Sequence, residues 1–250
     1  MSNLSEIFKN KKAFIPFIVA DDPDAATTVN NILALAEAGA DIVELGLPFS
    51  DPVADGPVVQ AADLRAFKAG VSTKEIFTIV EAVRRKSQVP LVFFTYLNIV
   101  FKYGYREFLE KCQQLNIAGL IVPDLPYESR PEIAPLAAEY DIDIIPLIAE
   151  TSGDRIQKIA QSATGFIYIM ASPAPDEMTV KLPRLLSEVR KYTTLPIVIS
   201  ANVQTAQEFA QAAAIADGVA VSDAFVELVG QQEAPEKLKE FAQKITAKDC

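Results

Sequence analysis

Histidine is absent from the 250 residues, and so is tryptophan. The first absence narrows the chemistry, because any general acid or base must then be a carboxylate, lysine, tyrosine or cysteine. It also removes the usual zinc sites, since two distant cysteines, Cys112 and Cys250, cannot close one. Nothing follows from the missing tryptophan. Two cysteines form no spaced framework, so a reduced, cytoplasmic chain is expected. The formal net charge is -10 and no lysine or arginine run is long enough to grip a phosphate backbone. Nucleic acid and anionic membrane surfaces are therefore poor partners. No apolar run approaches the roughly 18 residues of a membrane span. Lys9 to Lys12 followed by apolar Ala13 to Ala20 imitates a signal peptide, but that run is short, holds Pro16 and ends in Asp21-Asp22. A first core strand is the expectation there.

What is present is a large apolar content: 50% of residues are hydrophobic and 22% charged. That suits one large soluble domain or two small ones. Strand and helix patterns alternate throughout. Strands are expected at 13–20, 41–46, 90–96, 118–122, 142–149, 165–170, 195–200 and 218–222. Most are nearly all apolar, as strands covered on both faces should be. Helices are expected at 4–9, from Asp22-Pro23-Asp24 to Gly39, and at 61–69, 73–86, 105–115 and 130–140. Further helices are expected from Ser152-Gly153-Asp154 to Ser162, and at 183–192, 205–213 and 234–247. Eight strand–helix units without a linker or low-complexity break predict an α/β fold, a (β/α)8 TIM barrel in a single domain over residues 1–250.

The most informative stretch runs from Glu44 to Pro57, Glu-Leu-Gly-Leu-Pro-Phe-Ser-Asp-Pro-Val-Ala-Asp-Gly-Pro. It sets Glu44 at the end of an apolar strand and then a loop carrying Asp51 and Asp55. Pro48 and Pro52 fix φ, while the glycines let the chain turn. A glutamate among Ile, Val and Leu is poorly explained as surface solvation, because burying an unpaired charge is costly. Loops set on rigid scaffolds often carry function.

In barrels of this kind the active site lies at the C-terminal ends of the strands. Those ends here are Asp21, Glu44, Tyr96, Asp124, Glu150, Ser200 and Ser222. None is lysine, which argues against Schiff-base chemistry. Carboxylate acid/base work remains, with Glu44 the first candidate and Asp55 the second. Walls from Phe17, Tyr96 and Tyr168 would raise the glutamate's pKa and shape a pocket for a flat apolar ligand.

Four motifs together resemble the tryptophan synthase alpha chain family. They are Phe14-Ile-Pro-Phe17, the Glu44 to Pro57 stretch, Leu64-Arg-Ala-Phe67 and Pro123-Asp-Leu-Pro126. The resemblance covers nearly the whole chain. It implies a (β/α)8 barrel that cleaves indole-3-glycerol phosphate to indole and glyceraldehyde 3-phosphate. It also implies a pyridoxal-phosphate beta chain as partner in an αββα heterotetramer, with no cofactor in this chain. Glu44 matches the family's acid/base at the glycerol side chain, and Asp55 the acid that holds the indole N–H. Phe17, Tyr96 and Tyr168 match positions lining the indole pocket. Pro48, Ser50, Asp51, Pro52 and Asp124 match positions near the beta-chain interface.

The chain departs from that pattern at the phosphate end. The family cups phosphate with backbone N–H groups in glycine-rich turns. Here the corresponding turns read Ala174-Pro-Asp-Glu177, Ser200-Ala-Asn202 and Ser222-Asp223. Ser200, Asn202 and Ser222 still offer hydrogen-bond donors, but Asp176, Glu177 and Asp223 bring negative charge. Three readings stand beside one another. One is the lyase with weak or rearranged phosphate binding. Another is a catalytically weakened subunit that mainly activates the beta chain. The last is an acid-lined barrel holding a divalent cation through Asp21, Glu44, Glu150 or Asp223 for aldolase-like chemistry.

Overall fold

The computed structural model describes residues 4–170 and 180–247. Its strands are β1 (Ala13–Val19), β2 (Val43–Gly46), β3 (Leu91–Phe94), β4 (Ile117–Ile121), β5 (Asp143–Ile145), β6 (Leu147–Ile148), β7 (Ile167–Met170), β8 (Ile197–Ser200) and β9 (Gly218–Val221). All are parallel, in the order β5-β4-β3-β2-β1-β9-β8-β7-β6. The two ends of that order are the two halves of one extended run, interrupted at Pro146. The first half pairs with β4 and the second with β7. A single bent strand thus joins the sheet's edges, and the ring is the expected eight-stranded barrel. Proline suits the break because it has no N–H for the ladder, while its carbonyl still accepts from Tyr168 N at 3.0 Å.

Alternation along β1 sorts the core into two layers. Ile15, Phe17 and Val19 belong to the cluster that fills the barrel interior, together with Val92, Ile121, Val198 and Ala220. Phe14 and Ile18 point outward into the layer between sheet and helices, with Leu45, Phe93, Ile199 and Val219. This is the period-two pattern of a strand covered on both faces. Leu4 and Phe8 close the N-terminal end of the barrel, with Phe8 and Phe166 ring centroids 5.5 Å apart.

Local chemistry explains the helix boundaries. Asp24 caps helix Ala25–Glu37 by accepting the Thr27 N–H, and Thr205 with Glu208 forms a reciprocal capping box on Ala206–Ile215. Pro57 opens helix Pro57–Ala69 at a position where its missing N–H costs nothing, and Gly70 ends it with φ 91°. The sequence pattern begins that helix too late, at 61. It also misses two helices, Leu97–Tyr103 and Asp223–Gly230. Both start directly after a strand, so they lack the loop residues that usually announce a helix.

Candidate active site

Glu44 sits inside β2 rather than at its end, paired in register between Phe17 of β1 and Val92 of β3. Its neighbours Val43 and Leu45 point outward, so strand alternation aims Glu44 into the barrel. It is 1% exposed. The Tyr168 hydroxyl, reaching from β7, donates to its two oxygens at 3.3 and 3.2 Å. Burial pushes the Glu44 pKa up to about 8, opposed by the Tyr168 hydrogen bond and reinforced by the nearby Asp55 charge. A carboxyl with that pKa is protonated near neutrality and can deliver a proton, then serve as base once ionised.

Asp55 comes from the loop after β2. Its Oδ2 accepts the Tyr96 hydroxyl at 2.8 Å, and the same Tyr96 oxygen accepts the Ala54 N–H at 3.2 Å. One buried tyrosine therefore holds both the acid and the backbone beside it. Phe49 stacks on Tyr96 at 4.7 Å and 21°, fixing the ring. Burial raises the Asp55 pKa and the Tyr96 hydrogen bond works against that rise. Phe17 packs edge-on to Phe94 at 5.9 Å. Gly46 makes room for it, because a Cβ there would lie 2.5 Å from the Phe17 ring. The glycine of the Glu-Leu-Gly motif is thus required by the Phe17 ring on the adjacent strand.

The structure brings Glu44, Asp55, Phe17, Tyr96 and Tyr168 together, and it gives both tyrosines a sharper task than lining. Each donates its hydroxyl to one of the two carboxylates. Ser200, half-buried at the end of β8, lies beside the Tyr168 hydroxyl as a hydrogen-bond partner. Asn202 is exposed and accepts from Gln204 Nε2 at 3.4 Å. Ser222 donates to Asp223 Oδ1 at 3.3 Å. No described contact ties either to the carboxylate pair. Asp223 stands in the first turn of helix Asp223–Gly230. The turn 174–177 lies outside the described residues. Among the described residues no group of three or more His, Cys, Asp or Glu is placed to hold a metal ion, so Asp21, Glu44, Glu150 and Asp223 are not gathered into a common site.

On the rim, Ser50 and Asp51 are exposed, Pro52 and Asp124 half-buried, and Pro48 buried. Ser50 donates to Asp51 at 2.6 Å. Asp124 accepts the Leu97 N–H at 2.8 Å and so ties the loop after β4 to the helix after β3. Val53 and Phe101 are large apolar side chains left 78% and 67% exposed. They sit on the loop after β2 and on helix Leu97–Tyr103, at the same rim.

Two features beneath the site went unread in the sequence. Asp63 is 5% exposed, and burial raises its pKa to about 8, helped by the charges of Asp55 and Asp22 and opposed by the Phe49 backbone N–H. The signal was available: Asp63 falls on the buried stripe of its helix with Val59, Ala62 and Ala66. An acid in an apolar stripe at helical spacing marks a special environment. Arg65, two residues on, grips the buried Asp22 with bonds of 2.7 and 2.8 Å. That pair fastens the loop after β1 to the helix that follows Asp55, and it gives a physical reason for the Leu64-Arg-Ala-Phe67 motif.

The family model described as tryptophan synthase alpha chain matches residues 4–249. The chain belongs to the tryptophan synthase alpha chain family. It is 58% identical over 251 residues to the tryptophan synthase alpha chain of Lacticaseibacillus casei, covering 98% of this chain and 94% of that one. The alpha chain of Lactiplantibacillus plantarum is 47% identical, with 98% and 95% covered. Among solved structures, a tryptophan synthase a2b2 complex from Pyrococcus furiosus contains a chain of 33% identity and TM-score 0.86, with 94% and 98% covered. A tryptophan synthase chain from M. tuberculosis superposes with TM-score 0.90 at 28% identity, with 98% of each chain covered. The (β/α)8 barrel is the fold of this alpha chain and of those relatives.

Proposed function

We propose that this alpha chain, acting as one barrel domain, cleaves indole-3-glycerol phosphate through Glu44 and Asp55. The observation that carries the assignment is the pairing of each acid with its own buried tyrosine, which holds two carboxylates in different environments beside the apolar cluster of the barrel interior. Asp55 accepts the indole N–H and draws electron density into the ring. Glu44, protonated at neutral pH by its burial, delivers its proton to indole C3. As a carboxylate it then takes the hydroxyl proton of the adjacent glycerol carbon. The C–C bond breaks, its electron pair returns to the ring, and that carbon becomes the aldehyde of glyceraldehyde 3-phosphate. Every proton is carried by a side chain of this chain, and no cofactor enters the scheme. Phe17 provides the flat apolar wall for indole.

For the partner we infer a pyridoxal-phosphate tryptophan synthase beta chain in an αββα assembly, in the cytoplasm. Support comes from the rim of the barrel. Val53 and Phe101 leave apolar surface open beside Ser50, Asp51, Pro52 and Asp124, a composition suited to a docking patch. No helix among the described residues is long and apolar enough to cross a membrane.

Steady-state cleavage of indole-3-glycerol phosphate tests the acid/base assignment. Glu44→Gln is expected to abolish indole formation, and Asp55→Asn to cut it by about 100-fold or more, with far-UV circular dichroism unchanged. Wild-type turnover by Glu44→Gln would end the assignment.

A further inference from the structure

Arg130 is a buried cation on the flank of the barrel, away from the carboxylate pair. It is 8% exposed, and its Nη2 donates to the Ile144 carbonyl at 2.7 Å. That is its one hydrogen bond among the described residues, and none of their carboxylates forms an ion pair with it. The chain treats its other sheltered arginines differently. Arg65 closes on Asp22 with two bonds, and Arg84 donates to the carbonyls of Leu115, Val89 and Asn116. A guanidinium carries five N–H donors, and leaving most of them unspent away from water is costly. Burial accordingly lowers the Arg130 pKa.

The side chain lines a cavity of about 690 Å³ beside β5. Its walls are largely apolar, with Tyr127, Pro131, Pro135 and Ile142 on them beside the hydroxyl residues Ser162 and Thr164. Glu128, Asp141 and Asp143 also border it. These carboxylates disfavour a dianion such as phosphate, while the Arg130 guanidinium favours one negative charge placed directly against it. A ligand with an apolar body would meet the prolines and Ile142.

We propose that this flank cavity binds a small monocarboxylate with an apolar body, its carboxylate paired with the Arg130 guanidinium and its hydrocarbon against Pro131, Pro135 and Ile142. Arg130 and Tyr127 also line a smaller cavity of about 320 Å³ under Pro123 and Asp124. The bound carboxylate therefore sits one side chain away from the loop that carries Asp124.

The probe is benzoate, titrated into the full chain and followed by NMR. Saturable shifts are expected at the Arg130 Nε–H and at the Ile145 amide, whose peptide carries the carbonyl that Arg130 holds. Arg130→Met should weaken binding by about tenfold or more, the usual effect of losing a charge-assisted contact. Arg130→Lys, which keeps the charge and protects against a folding defect, should bind with intermediate affinity. Denaturant midpoints of both variants establish that they are folded. Four results would each overturn the site: no saturable response at those resonances, a response confined to Tyr168 and its neighbours, unchanged affinity in a folded Arg130→Met, or inorganic phosphate binding in preference to benzoate.

Discussion

Replacing Glu44 by glutamine should stabilise the protein, and the gain should grow with pH in a way that can be worked from the structure. The folded-state pKa of Glu44 is about 8 against an ordinary value of 4.5. Below pH 4.5 the carboxyl is protonated in folded and unfolded chains alike and costs nothing. Between 4.5 and 8 the folded protein binds the proton while the unfolded chain has released it, so stability falls as pH rises. Each pH unit in that window costs about 1.4 kcal/mol, which gives about 3 kcal/mol at pH 7. Above pH 8 both states are ionised and the penalty levels off. Glutamine has no such titration, yet its side-chain carbonyl can still accept the Tyr168 hydroxyl. Asp63 also has a raised pKa of about 8, but it is present in both proteins and cancels in their difference. The assay is urea unfolding of wild type and Glu44→Gln at pH 5, 6, 7 and 8. The stability difference should widen in favour of the variant by about 4 kcal/mol across that range. Parallel pH dependences would mean that Glu44 is ionised in the folded protein at neutral pH, and the general-acid role would fall with it.

Tyr96→Phe should raise the Asp55 pKa further, because it removes the hydrogen bond that opposes the effect of burial. The acid limb of the kcat/KM profile for indole formation should then move to higher pH, and an unmoved limb would detach Tyr96 from Asp55. Val53→Asp, at a site 78% exposed, should leave the unfolding midpoint unchanged but weaken co-elution with a tryptophan synthase beta chain and its stimulation of serine-plus-indole condensation. Equal stimulation by the variant would place the partner elsewhere. Asp223→Ser should tighten glycerol phosphate binding several-fold in calorimetry. The gain should shrink as salt is added, because repulsion is screened over about 10 Å at 0.1 M. Low-micromolar binding by wild type, no tighter in the variant, would show that Asp223 is turned away from the ligand.

The sequence determined the barrel. Eight alternating units with nearly all-apolar strands permit little else, because an open doubly wound sheet rarely needs eight regular units, whereas a closed barrel under a helix ring needs that many. It also singled out Glu44 and Asp55 as the candidate acids. An acid in an apolar strand and a proline-shaped loop behind it are local facts, and the family motifs could be read in order along the chain. Pairing was decided only by the tertiary structure. Tyr168 lies 124 residues from Glu44, and Tyr96 lies 41 from Asp55. Nothing in the local pattern of either tyrosine separates a hydroxyl donor from core filling, since both are aromatic residues in apolar runs. The same holds for Gly46, whose need to be glycine comes from Phe17 on the adjacent strand. Asp22 and Arg65 form a pair across 43 residues for the same reason. Periodicity along the chain reports which face a residue occupies. Which side chain it meets there depends on strand register and barrel closure, and these are set by contacts between segments distant in sequence.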